Sequence, residues 1–474
     1  MTPVKNDMKN KIELYKNLQR KTPDQIVHGF LVEDNFEGET LYSKNENIFY
    51  KWEDGFYQPI DETAMKKCLW AHVNQLKLRK LFPEDKSISA STINNIYETL
   101  KLAHSKVTET TNTPYIGFND KKCLSLKDFT FQDSSVEMPI FFGLDFPSST
   151  VLDPSICPVF QNFLKTTLVK KETLEPDEKL ILFVQEIFGY CLTNTVAAHA
   201  TFFFYGSGRN GKSVLLDILR SIIGEKYISS MSIQTLTTQR FAPANLVGKK
   251  LNIASEEESK FIKCDTFKSL VAGDPMTVEQ KHKDPFEYRP NAKFLFATNR
   301  IPIFDSADVA IRDRVFIIPF NRYLAEQERD HFLINKLKPE IGGILAWALE
   351  GAKRVIDNDY RFTVPDSVRE MGEEFQNEQS SALAFIKENF QVTGDTEDYI
   401  IKARMYKFYT YWCADNGRRK KSSETFFKDI LSVYRGKIKT DTRRNMNGIQ
   451  TRVVTGVIQT EDESAYLNMN IRFP

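Results

Sequence analysis

The sequence offers almost nothing for disulfide or zinc chemistry. Its six cysteines, at 68, 123, 157, 191, 264 and 413, are scattered singly, with no C-x-x-C pair, and its six histidines are equally dispersed. That excludes a zinc finger and a disulfide framework, and it fits a reducing, cytoplasmic setting. Long apolar runs are missing as well. None approaches the ~20 uncharged residues that span a bilayer, and the opening MTPVKNDMKNKIELYKNLQR is too polar for a secretion signal. No membrane partner is expected. There is no internal repeat, no low-complexity linker and no overall charge excess, since the formal charge is +1. A polybasic coat protein is therefore excluded.

What is present is length and a local imbalance. With 474 residues, 41% hydrophobic and 27% charged, the chain can bury the cores of two to four domains. From Ile401 to Arg452 there are 14 Lys and Arg against 4 Asp and Glu, a net of +10 that leaves −9 for the rest. A basic carboxy-terminal module on an acidic body points to a phosphate-bearing partner at that end.

The first part of the chain mixes short patterns. NIFYKWEDGFY at 47–57 predicts a hairpin around Glu53-Asp54-Gly55. Residues 63–78 predict a helix with apolar positions Met65, Cys68, Leu69, Val73 and Leu76. Strands are expected at Tyr115–Phe118 and Met138–Phe142, followed by a helical stretch over 159–193. Beyond residue 197 the pattern changes. Apolar runs end at Tyr205, Ser255, Thr298 and Ile318, each followed by polar residues. Their spacing predicts a largely parallel sheet covered by helices, with ligands beyond the carboxyl ends of the strands.

The residues at those ends carry the chemistry. Gly206-Ser207-Gly208-Arg209-Asn210-Gly211-Lys212-Ser213 matches G-x-x-x-x-G-K-[ST]. Its glycines allow a turn whose N–H groups surround phosphates. Lys212 would reach the β- and γ-phosphates, and the Ser213 hydroxyl would hold Mg²⁺. LNIAS at 251–255 runs into Glu256-Glu257-Glu258. Glu256 is assigned to the Mg²⁺ side and Glu257 to the attacking water, although the register among the three stays open. KFLFA at 293–297 leads to Thr298-Asn299, where an amide can orient water against the γ-phosphate. Arg312 and Arg314 precede the run VFII at 315–318. From a subunit edge, such a guanidinium could enter a neighbour's site.

In this order and spacing the set resembles the superfamily 3 helicases, compact AAA+ motors of viruses, phages and plasmids. Within them it is similar to the branch of phage and plasmid primase–helicases and the poxvirus replication helicase–primase. The matching segments are QEIFGYCL near Gly189, GSGRNGKS, LNIASEEE, the stretch 267–299 and DVAIRDRVFIIPF at 308–320. A narrower resemblance is to self-loading replication initiators of staphylococcal pathogenicity islands and prophages. The resemblance implies a multidomain α/β chain: an accessory α+β domain at 1–165, a helical collar at 166–196, an AAA+ P-loop motor at 197–320, a helical lid and linker at 321–383 and a basic winged-helix-like domain at 384–474. It further implies ATP and Mg²⁺ as cofactors, Asn299 as sensor and Arg314 as a finger supplied in trans. A hexameric ring moving 3′ to 5′ on single-stranded DNA in a bacterial host cell follows, with a separate primase or host polymerase as partner. Two departures stand out. Both acidic positions are glutamate, and the residues before the motor show no zinc ligands or clear acidic metal pair, so primase activity is not expected of them.

Between the acidic motif and the sensor, two strands folding about VEQKHKDPF at 278–286 would make a hairpin. In the family such a hairpin enters the ring's channel, where Lys281, His282 and Lys283 would meet backbone phosphates. Near the carboxyl end, helices over 406–416 and 424–434 flank Arg418, Arg419, Lys420 and Lys421. Arg443, Arg444 and Arg452 flank a hairpin turning at Asn447-Gly448. These basic residues are expected to lie along duplex DNA, with Tyr409 and Trp412 in the core. The leading function is an ATP-driven replicative DNA helicase and replication initiator. The alternatives are a packaging or remodelling ATPase, and an ATP-switched origin-binding protein that does not unwind.

Overall fold

A computed structural model of the chain describes residues 40–43, 46–78, 88–103, 105–106, 110–256, 261–281, 283–300, 303–304, 309–416, 418, 420–446 and 448–460. These fall into two units, the first within 1–257, 265–299 and 314–367, the second within 258–264, 300–313 and 368–474. The architecture is mixed α/β. No helix among the described residues is long and apolar enough to cross a membrane.

In the first unit the strand Thr40–Ser43 precedes the expected hairpin and pairs antiparallel with its first strand. Ile48–Glu53 pairs antiparallel with Phe56–Ile60, and the turn residues Asp54 and Gly55 both take positive φ. The helix Glu62–Leu78 buries Met65, Leu69, Val73 and Leu76 against Phe49 and Tyr97. Cys68, read as part of that apolar face, is exposed. Tyr115–Phe118 is a strand as expected, but Met138–Phe142 is not. Pro139 has no N–H to give a ladder; the Ile140 and Phe142 carbonyls accept from Tyr57 and Gly117, while Met138 N and Ile140 N donate locally to Ser135 O and Met138 O. The strand that pairs there is Gly143–Leu144.

The helical stretch read over 159–193 is two helices, α1 (Pro158–Thr167) and α2 (Glu178–Leu192). Pro176 disfavours helical backbone at the residue before it. Asp177 then starts α2 by accepting from Leu180 N at 3.1 Å. α2 lies against α4 (Ile341–Asp357) at Gly189 and Gly351, where a Cβ on either would strike the other helix's backbone.

The centre of this unit is a five-stranded sheet of β1 (Thr201–Tyr205), β2 (Ile228–Ser229), β3 (Leu251–Glu256), β4 (Lys293–Thr298) and β5 (Val315–Pro319). Its order is β2-β3-β4-β1-β5, and every pair is parallel. The phenylalanine-rich β1 and β4 are covered on both faces, as parallel strands must be, and Phe203 stacks on Phe296 at 5.1 Å between ring centres. Between β1 and β2 runs α3 (Lys212–Ile223), which packs Leu215, Ile218, Leu219 and Ile222 inward. At the roots of β3 and β4 sit two buried lysines. Burial pushes Lys250 down to about 8 and Lys293 down to about 7.

The second unit has its own aromatic core of Phe385, Tyr409, Trp412 and Phe426, with Trp412 and Tyr409 buried as expected. Helices Ser381–Asn389, Lys402–Asp415 and Ser423–Val433 pack with a three-stranded sheet in which Ile449–Thr455 lies between Tyr399–Ile401 and Lys439–Met446. The middle helix starts four residues before the expected 406, because Met405 already joins the core. The last is capped by Ser422, whose side chain accepts from Thr425 N at 3.2 Å.

Candidate nucleotide site and nucleic-acid surfaces

At the carboxyl edge of the sheet the strand ends are level. Tyr205, Thr298, Glu256 and Pro319 pair across β1, β4, β3 and β5 in one row. The chain leaves β1 between β4 and β5, at the point where the strand order reverses, and there open α/β sheets hold ligands. Positive φ at Gly208 (96°), Arg209 (55°) and Gly211 (85°) folds residues 206–211 back over the edge. Gly206 N donates to Thr298 O at 3.2 Å. Gly206 also has no room for a Cβ, which would press on Asn210 and the Phe320 carbonyl, and one on Gly211 would press on Thr167 and Phe163. α3 then begins at Lys212 without a side-chain cap from Gly211, so its first N–H groups remain for a ligand.

Lys212 is 5% exposed and donates to Gly206 O at 2.7 Å, Asn210 Oδ1 at 3.0 Å and Asn299 Oδ1 at 3.4 Å. One ammonium therefore joins the loop to the residue after β4. Burial pushes Lys212 down to about 8. A phosphate beside it would restore the charged form, so a nucleotide bound here would take up a proton above that pH. Affinity should be full below about pH 8 and fall above it, by at most roughly tenfold per unit. Calorimetric titrations between pH 7 and 9, in buffers of differing ionisation enthalpy, read both the affinity and the proton.

Lys212, Ser213, Thr298 and Asn299 line a cavity of about 810 Å³ whose other walls come from α1 and residues 324–336. Three features fit it to a nucleoside triphosphate with Mg²⁺. Its floor is a glycine cradle, and its side chains include Arg209, Lys212 and Arg329. The wall residue Thr167 is buried with its hydroxyl unpartnered. Among the described residues no three His, Cys, Asp or Glu side chains gather for a metal. A Mg²⁺ bound through one hydroxyl, one carboxylate, phosphate and water needs no such group.

Glu256 is the last residue of β3, in register with Thr298. Glu257 and Glu258 lie outside the described residues. Arg314 is half-buried at the opposite edge, where its carbonyl accepts from Thr201 N at 2.7 Å. The length of β1 puts it roughly 16 Å from the phosphate loop of its own chain. Arg312 is exposed and paired with Asp313 at 3.1 Å. Thr167 and Arg329, which belong to no local motif, reach the cavity only through folding, and Tyr323 meets Arg209 and Arg329 in the same way.

The basic residues divide into free and engaged groups. In the hairpin of Met276–Val278 and Phe286–Tyr288, Lys281 is exposed. Lys283 pairs with Glu62 and with Gln280, and Glu279 is held by Arg240 at 2.6 Å. His282 lies outside the described residues. In the second unit Lys421 is bound to Asp429 and Ser380, and Arg444 forks onto Glu397 at 3.1 and 3.2 Å above the Tyr399 ring. Arg418 sits over Trp412. Lys420, Arg443 and Arg452 are exposed, whereas Arg419 and Asn447 lie outside the described residues. Arg443 and Arg452 stand directly opposite each other in the hairpin. Like charges so placed repel, and a bound phosphate would relieve them.

Residues 204–314 match the model of a family of unknown function, DUF5906. The mimivirus protein named "Putative helicase L207/L206" is 28% identical over 155 residues, 31% of this chain and 16% of its own length. Primase D5 of fowlpox virus is 26% identical over 172 residues, 34% of this chain and 21% of its own. The chain thus spans about a fifth of the length of these relatives and is related to viral helicase and primase proteins. They lend no support to the narrower resemblance to staphylococcal initiators. The NrS-1 C-terminal region superposes over 90% of this chain and 99% of its own, with a TM-score of 0.48 and 14% identity.

Proposed function

We propose that this chain is an ATP-hydrolysing DNA helicase of the superfamily 3 AAA+ type, working as a ring of subunits, with six expected. The observation that carries the reading is the buried Lys212, bonded at once to the phosphate loop and to Asn299, the residue after β4. That contact joins the loop that grips a nucleotide to the strand end that senses its terminal phosphate. Lys212 would hold the β- and γ-phosphates, and the first N–H groups of α3 would add their positive end. Ser213 and Glu256 would hold Mg²⁺, which when bound neutralises charge on the phosphate oxygens. Glu257 would take a proton from the attacking water, which Asn299 orients.

The second unit supports a DNA-docking role. Its helix Ser381–Asn389, the strands Phe390–Val392 and Tyr399–Ile401, two helices and a hairpin approximate the order of a winged helix, with exposed Arg443 and Arg452 as the basic wing. In this reading the wing places the ring on duplex DNA, and Lys281 grips the strand being moved.

The exposed arginines and the engaged lysine give a test. Arg443→Ala and Arg452→Ala should each lower the salt slope of duplex binding by about 0.9 while leaving the melting temperature in place. Lys421→Ala removes the partner of Asp429, and it should lower the melting temperature more than the slope. Anisotropy titrations across a salt series read the slope. An unchanged slope in both arginine variants would remove the wing from the DNA.

A further inference from the structure

Resting on the nucleotide reading above, we infer that Arg209, Tyr323 and Arg329 form a phosphate clamp supplied by the chain itself. The two arginines bind the terminal phosphates of a nucleoside triphosphate, and Tyr323 positions them.

Arg209 and Arg329 both line the cavity that holds Lys212. Each guanidinium donates to the same acceptor, the Tyr323 hydroxyl, at 3.3 Å. Arg329 also lies over the Tyr323 ring, 5.8 Å from its centre, and its Nε donates to Leu324 O at 3.0 Å. Leu324 N in turn donates to Arg209 O at 3.0 Å. Residues 323–329 are therefore tied to the tip of the phosphate loop at both backbone and side chain.

The carboxylates nearby are already committed. Glu328 accepts from Arg322 at 2.7 Å and from Ala325 N at 3.0 Å. Asp330 accepts from Lys336 at 2.6 Å and from Phe332 N at 3.0 Å. Among the described residues neither Arg209 nor Arg329 has a carboxylate partner. Two like charges are thus held side by side on one neutral oxygen, facing a cavity with a third cation. A phenol oxygen has two lone pairs, which the two arginines use, so it aligns both forks without neutralising either. The ligand that neutralises three such cations is a chain of phosphates, which guanidinium forks bind through paired hydrogen bonds.

Arg209 has φ +55°, so glycine removes its side chain without straining the turn. The test measures binding of ATP, ADP, AMP and inorganic tripolyphosphate to the full chain carrying Arg209→Gly, Arg329→Ala, Tyr323→Phe or Lys212→Ala. Arg209→Gly and Arg329→Ala should each weaken ATP and tripolyphosphate about tenfold, the worth of a charge-assisted contact, and leave AMP within twofold. Tyr323→Phe keeps the ring under Arg329, so it should weaken ATP only a few fold, and Arg329→Lys should recover part of the loss. Equal weakening of ATP and AMP would mean a merely structural role and overturn the clamp. So would ATP affinity within twofold of wild type in both arginine variants while Lys212→Ala loses binding. If Lys212→Ala also bound tripolyphosphate like wild type, the nucleotide reading itself would fall.

Discussion

Lys212→Ala should lower ATP turnover by a factor on the order of 10²–10³ or more, the usual cost of removing one preorganised charge from phosphoryl or acyl transfer. The protein should stay folded. In the native chain Lys212 is the donor to Gly206 O, Asn210 Oδ1 and Asn299 Oδ1, so alanine leaves those oxygens without it. Against that loss stands a relief. Burial has already pushed Lys212 down to about 8, so holding its charge opposes folding. The two effects oppose each other, and the melting temperature should move by only a few degrees. Lys212→Met, which keeps the aliphatic stem, should be equally inactive. Turnover within a few fold of wild type, in a folded variant, would remove this loop as the catalytic centre.

Arg314→Ala should be comparably severe, because an arginine finger contributes on the order of 10³–10⁵ in rate. Its position decides how the defect must behave. Arg314 lies at the amino edge of the sheet, beside Thr201, whereas the phosphate loop lies at the carboxyl edge. Roughly 16 Å of strand separates them, more than an arginine side chain spans. If Arg314 touches a nucleotide, as the proposed finger does, that nucleotide must therefore sit in a neighbouring subunit. Arg314→Ala protein mixed with Lys212→Ala protein should regain part of the activity that each lacks alone, at interfaces pairing an intact loop with an intact finger. Arg314→Lys keeps the charge but loses the fork, and it should stay far below wild type. If mass measurement showed mixed oligomers and none hydrolysed ATP, the finger would have to be sought elsewhere.

The parts of this site that could be read from residues alone are those that chemistry confines to a few neighbours. A turn with positive φ at 208 and 211 calls for glycine, and a parallel strand covered on both faces calls for a run such as TFFFY. The sheet and the loop were legible for that reason. Met138–Phe142 had the right apolarity for a strand, but Pro139 denied it a donor. The short β2 is only two residues long, too brief for any period to mark it. Charge was the least legible property. Lys283 looked like a free cation, yet its partner Glu62 is 221 residues away. Lys421 and Arg444 likewise spend their charge on Asp429 and Glu397. Arg329 and Tyr323 have no local signature, because their meaning comes from the loop they fold against.

In the proposed function, ATP hydrolysis at the β1 loop drives separation of DNA strands. Strand release from a labelled fork tests it most directly, with ATP and Mg²⁺ supplied to wild-type and Lys212→Ala protein, on forks with only a 3′ or only a 5′ tail. Stacking of about 1.4 kcal/mol per base-pair step sets the work to be done. Release should require ATP, favour the 3′ tail and vanish in Lys212→Ala. DNA-stimulated hydrolysis by wild-type oligomers with no strand released from either fork would contradict it, and would make the chain an ATP-driven switch or packaging motor instead.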